Sequence, residues 1–301
     1  MRQRGLAAVV LALVAAAPAC TSSSTGAAPS PEGPSISVPV VDPPASAPCV
    51  AGNTACVDET ITNMQHRLDA LASTCSHNAV FSLTYLVITQ EYRRAIDQPG
   101  AFDDPVFVNH LDALFANFYF AAFDRYASGD IAAVPPAWKI AFDEAKGGAI
   151  TSLGDALLGI NAHINRDLPF VLEQLHLGSD VERKRADFER LNEVLGRAFE
   201  PMIRAVAARF DPALQAPMLG GQKLDDHAAL ALIFDWRAAA FRNAEALESA
   251  PTPQARQAVA DEIEQNAAVT ARTLQLGTTI TSGGASNARD AYCASKNTTS
   301  P

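Results

Sequence analysis

The stretch Gly159–Pro169, GINAHINRDLP, sets two amides, a histidine, an arginine and an aspartate inside an apolar run. His163 and Asp167 stand four residues apart, so on a helix one stacks over the other and the two can share a hydrogen bond. Such a pair supports two kinds of chemistry. A carboxylate that fixes the imidazole tautomer and raises its basicity makes a general base. The same couple is also part of a carboxylate–histidine metal site. His163 and Asp167 are therefore the candidate catalytic residues.

On an ideal helix with Ile160 at the centre of the buried face, Leu153, Leu157, Ile164, Leu168, Val171 and Leu175 share that face. Asp167 and His163 fall on one edge of it, Asn161 on the other, and Arg166 points away. A carboxylate so near the core must be paired, hydrogen-bonded or neutral, because burying a lone charge is costly. Pro169 has no N–H to give Asn165, so a continuing helix leaves the Asn165 carbonyl open as a ligand. The alternative is structural: the helix breaks, Asp167 caps a new segment beginning at Leu168, and His163 only satisfies it.

A second polar stripe, His110, Asn117 and Asp124, runs at seven-residue spacing along one side of the segment 103–129. If that segment faces the one carrying His163, the two build a site of histidines, carboxylates and amides. Asn117, Asn161 and Asn165 are then the candidate ligand-binding residues, and His163, Asp167 and His110 the candidate ligands of a divalent metal. The alternative is that the stripe is a wet edge of the fold, above all at Asp124. His66, His77, His176 and His227 sit in polar surroundings, and Asp225-Asp226-His227 reads as a helix start favoured by the macrodipole.

The familiar catalytic motifs are missing: there is no H-E-x-x-H, no Gly-rich phosphate loop and no G-x-S-x-G elbow. The formal charge is −10, with no cluster of Lys and Arg. Nucleic acid is therefore not an expected partner, since phosphate binding needs a basic face.

The elements that must position these residues are helices. Phe81, Tyr85, Ile88, Tyr92 and Ile96 follow helical spacing; their run is rich in β-branched and aromatic residues, but no other segment offers it a partner strand. Asp104-Pro105 opens a central helix that is apolar nearly all round and stops at Gly129. Pro136 starts a short helix, Ser179 and Glu182 form a capping box before a long one that Pro201 kinks, and two more run over about 224–247 and 253–276. The expected fold is all-α, a single bundle of seven or eight helices with short loops.

The first twenty residues read as a secretory leader: Arg2 and Arg4, an apolar run from Leu6 to Ala17, then small residues to Cys20. Cys20 is the candidate lipidation site. With it set aside, Cys49, Cys56, Cys75 and Cys293 form an even set that allows three pairings, of which Cys49–Cys56 with Cys75–Cys293 is favoured. The expected organisation is a signal peptide at 1–19, a disordered Ser/Pro/Gly-rich tether at 20–48, a helical domain at 49–278 and a tail at 279–301 tied by Cys293.

"FANFYFAAFDRY" followed by "LGINAHINRDLPFVL" resembles a bacterial family of helical proteins catalogued only as a domain of unknown function. Its motifs are F-A-N-x-Y-F and G-x-N-A-H-I-N-x-D-L-P, and the similarity runs from about Asp58 to about Leu276. The resemblance implies an all-helical fold, singles out Asn117, Asn161, His163, Asn165 and Asp167, and implies no activity. The expected protein is a cell-envelope lipoprotein, held on the outer face of the cytoplasmic membrane or in the envelope by a lipid on Cys20, or else secreted. It would carry a pocket for a small ligand or metal. The alternatives are a non-catalytic interaction or scaffold protein, with an envelope protein as partner, in which the motif is a structural helix kink, and a metal-dependent hydrolase.

Overall fold

Helix starts are set by side chains that accept from backbone N–H groups the helix itself cannot use. Asn53 accepts from the Ala55 N–H at 3.1 Å, Asp104 from Phe107 at 3.0 Å, Thr151 from Gly154 at 3.1 Å and Thr252 from Ala255 at 3.1 Å. The computed structural model describes residues 38–214, 226–278 and 284–298. Within them run α1 (Ala47–Val50), α2 (Thr54–Ser73), α3 (Asn78–Ile96), α4 (Pro105–Ser128), α5 (Pro136–Gly147) and α6 (Ser152–Asn161). A π-helical turn, Ala162–Asp167, leads into α7 (Leu168–Gln174), followed by α8 (Val181–Arg209), α9 (Asp226–Glu248), α10 (Pro253–Thr278) and α11 (Gly284–Thr298).

The fold is all-α, with no strand among the described residues. Among the described residues ten helices have seven residues or more, against the seven or eight expected. The excess has two sources: the segment after Gly148 is divided by the π turn, and the C-terminal tail forms a helix of its own. The capping box of Ser179 and Glu182 does not form. The chain reverses at His176 and Gly178, both with φ near +60° (55° and 59°), so Gly178–Asp180 is spent on a 3-10 turn and α8 begins only at Val181.

The π turn lies at the centre, in contact with α4, α5, α9 and α10. Around it α3 packs between α2 and α8, while α10 lies along α5 and α6. Trp138, Phe118, Phe170 and Phe241 are fully enclosed in the core. By length and apolar composition α4 could cross a membrane, but here most of it is buried among the other helices. That agrees with an apolar pattern that runs nearly all round.

Cys49–Cys56 ties α1 to α2, and Cys75–Cys293 ties the end of α2 to α11. Two bridges fit an oxidising compartment. The leader and Cys20 lie outside the described residues, as does the tether as far as 37. From Val38 the chain follows the bundle: Val41 exchanges two hydrogen bonds with the Gln174 side chain, and the Asp42 carbonyl accepts from Asn117.

Candidate functional site

Pro169 determines the local winding. It cannot donate a backbone hydrogen bond, and the Leu168 N–H just before it reaches the His163 carbonyl, five residues back. The helix thus neither continues as regular α nor breaks; it absorbs the proline in one wider turn. Such π turns recur at functional sites.

Asp167 is fully buried at the end of this turn and has three partners. Its Oδ2 accepts from Trp138 Nε1 at 2.8 Å, its Oδ1 accepts from Arg166 Nη1 at 2.8 Å, and His163 Nδ1 lies 3.1 Å from Oδ2. Arg166, expected to point away, is buried as well, and its Nε donates to Glu264 at 2.8 Å. The correction has a cause: the π turn breaks the regular angular step assumed for the segment, and α10 covers the side expected to face solvent. Burial works against the Arg166 charge, but Glu264 and Asp167 outweigh it and hold the guanidinium above its ordinary range.

These bonds fix the state of His163. A carboxylate already accepting from Arg166 and Trp138 offers the imidazole only an acceptor, so Nδ1 carries the proton and donates to it. Burial lowers the histidine pKa, against the opposing pull of Asp167, so the ring is neutral near pH 7. Nε2 is then a bare acceptor, and it is buried with no protein partner. The ring stacks on Phe115, with centroids 3.4 Å apart and planes 3° from parallel, and Tyr85 packs edge-on at 4.5 Å.

Gly159 makes room for this arrangement. A Cβ there would lie 2.3 Å from the Phe81 ring, so only glycine lets α3 and α6 approach closely enough for Phe81 to meet both Trp138 and His163.

His163 forms part of the wall of a cavity of about 110 Å³. The wall is otherwise largely aromatic and aliphatic, from Phe81, Tyr85, Phe115, Leu195 and Phe199, with Asp112 and Arg237 as its charged-type members. Three polar atoms of lining residues are buried without partners: His163 Nε2, Tyr85 Oη and Asp112 Oδ2. Burial raises Asp112 to about 8, so it holds its proton at neutral pH and can donate. Burial, with Asp112 and Asp167 adding to it, keeps the Tyr85 phenol well above its usual value, also as a donor. A cavity of about 150 Å³ accommodates a benzene molecule, so this one suits a ligand group of similar or slightly smaller size.

The other residues singled out in the sequence lie elsewhere. Asn161 Nδ2 donates to the Ala267 carbonyl at 2.9 Å and its Oδ1 accepts from Asn165 at 2.9 Å, so the two amides tie the π turn to α10. His110 lies against Gly52, Asn117 bonds the Asp42 carbonyl, and Asp124 forms a two-bond pair with Arg67 at 2.6 and 2.8 Å. The structure does not bring that stripe to His163. Phe115 and Asn117 are two residues apart on a helix and so occupy opposite faces, and it is the Phe115 face that meets the imidazole. Among the described residues, no group of three or more His, Cys, Asp or Glu side chains is arranged to hold a metal ion.

The sequence reading missed Trp138, Asp112, Arg237 and Glu264 as members of the site, and took Tyr85 and Phe115 for plain core. One signal was present: Asp112, Phe115 and Tyr119 stand at i, i+3 and i+7, one face of α4, and two of them lie in the F-A-N-x-Y-F motif. No curated protein and no solved structure matches the chain. The model of a family of unknown function, DUF5995, matches residues 57–276, a span that contains every residue of the cavity and of the Asp167 network, and the chain belongs to that family.

Proposed function

We propose that the protein is an exported, lipid-anchored binding protein that holds a small, largely apolar ligand in the cavity, the ligand giving one hydrogen bond to His163 Nε2. The observation that carries this reading is the bare, buried Nε2 beside two further unpartnered polar atoms in an otherwise apolar wall. Buried polar groups are normally bonded, and a cluster left open in a cavity is what a ligand with a few convergent polar contacts would use. Asp167 is a positioning residue in this scheme: its bonds to Trp138, Arg166 and His163 set the tautomer and aim Nε2.

The probe is phenol, a hydroxyl donor on a ring of about the size the cavity suits, titrated calorimetrically into the purified protein. Binding is expected, and His163→Phe, which keeps a ring against Phe115 but removes the acceptor, should weaken it about tenfold. Equal affinity for both forms, or no binding to the native protein, would overturn the reading.

The address is supported by the Arg-led apolar leader ending at Cys20 and by the two bridges. Cys20→Ser should release the protein from the membrane fraction of expressing cells. Retention of that variant in the membrane would count against the anchor.

A further inference from the structure

Among the described residues three arginines are deeply buried: Arg166, Arg237 and Arg289, at 5%, 6% and 5% exposure. Arg166 is paired with Asp167 and Glu264, and Arg289 with Asp155 at 2.7 Å. Arg237, on α9, has no carboxylate partner among the described residues. Its Nε donates to the Asn192 side chain at 2.8 Å, its Nη2 donates to the Phe188 carbonyl at 2.7 Å, and its guanidinium lies 4.0 Å over the Phe188 ring. All three contacts are with neutral groups. Burial lowers Arg237 to about 9, which still leaves it charged at neutral pH.

Arg237 lines the same cavity as His163. An enclosed guanidinium without a counter-charge is costly, and two bonds leave three of its five N–H donors for a planar anion. Asp112, the one acid on the cavity wall among the described residues, does not supply the counter-charge: it forms no ion pair and holds its proton. The rest of the wall is largely apolar and continues beyond this cavity. A second cavity of about 50 Å³ shares Ile160, Phe199, Met202 and Ile233 with the first. Along α8 the two are lined from Leu191 to Val206, a rise of about 22 Å. A guanidinium stands near one end of this lining and aliphatic side chains line the other.

Resting on the reading of the cavity as a ligand site, we propose that its ligand is an apolar hydroxy-monocarboxylate, whose hydroxyl gives the hydrogen bond to His163 Nε2, whose carboxylate binds Arg237 and whose hydrocarbon body lies along α8 toward the second cavity. Arg237 supplies the charge-assisted bonds, and the shared wall supplies the apolar contact.

The test compares octanoate with 1-octanol, probes of equal chain length that differ in the head group, at neutral pH on the purified full chain. The native protein should prefer octanoate about tenfold or more, the range of a charge-assisted hydrogen bond. Arg237→Met should abolish that preference and Arg237→Lys should retain part of it. The preference of the native protein decides the matter even if a variant fails to fold. If 1-octanol binds as well as octanoate, the carboxylate assignment is wrong while the cavity reading stands. If neither probe binds, this inference fails, while phenol binding decides the cavity reading separately. A preference for octanoate that survives in a folded Arg237→Met variant would also overturn the assignment, because the charge would then be recognised elsewhere.

Discussion

Asp167→Ala should lower the free energy of unfolding by about 3–5 kcal/mol, the range for removing one partner of a buried charged pair. Three donors depend on that carboxylate: the Trp138 indole, the Arg166 guanidinium and the His163 ring. None can turn to water, because Trp138, Arg166 and His163 are themselves buried. Glu264 still holds Arg166 in the variant, which keeps the loss from going beyond that range. Asp167→Asn should fall between the two, since it keeps the shape and one acceptor but lacks the charge Arg166 is paired with. Urea unfolding followed by tryptophan fluorescence measures the difference directly. A loss below about 1 kcal/mol, typical of a single neutral hydrogen bond, would mean that the network is not what holds the π turn. His163→Phe should cost less, because Asp167 would keep its bonds to Trp138 and Arg166. The contrast between the two variants separates the positioning carboxylate from the imidazole it aims.

How far the sequence could lead depends on which physical signals are local. Helix starts at Asp104-Pro105 and Thr252-Pro253 are local, because a cap and its N–H group lie within three residues, and the start at Pro136 is local because its ring fixes a helical φ; the structure has helices at each. The His163–Asp167 contact is local too, one turn apart on the same helix. Arg166 shows where local reading stops. An ideal wheel carries a constant angular step past Pro169, while the chain inserts a π turn, and the residue that rewards burying Arg166 is Glu264, ninety-eight positions away. The same holds for α4. Its polar stripe of His110 and Asn117 and its face of Asp112, Phe115 and Tyr119 were both legible as periodic patterns, but periodicity does not say which face another helix will choose. An unpaired Arg237 was beyond sequence reading altogether, since it is defined by the carboxylates that do not surround it.

Removing the Cys75–Cys293 bridge by paired Cys→Ser substitution should destabilise the protein by roughly 5 kcal/mol on the chain-entropy account of long loops, because the bridge closes a sequence separation of 218 residues. The packing of α11 suggests where the loss will be felt first. Of its residues with described burial, only Arg289 and Cys293 are buried, so little apolar area holds the helix down. The remaining attachments are polar, among them Arg289 to Asp155 at 2.7 Å and to the Ile150 carbonyl at 3.0 Å, His77 to Asp290 at 2.8 Å, and Asn297 to the Ala72 carbonyl at 2.9 Å. One of these bonds, His77 to Asp290, involves an exposed carboxylate, and its net contribution is small. Without the bridge, α11 should therefore open separately from the bundle, and amides within 284–298 should exchange much faster than those of α3 or α6. Undocking also removes Arg289 from Asp155, which burial already raises to about 7 with the arginine in place. It opens Asp155 to water as well and so removes the burial that dominates its shift; the carboxylate is then more acidic than in the docked state, and docking weakens as the pH rises through about 7. Hydrogen exchange at pH 6 and pH 8 follows both effects. If residues 284–298 stay as protected in the variant as in the native protein, the polar contacts alone are enough to dock α11, and the bridge stabilises only by restricting the unfolded chain.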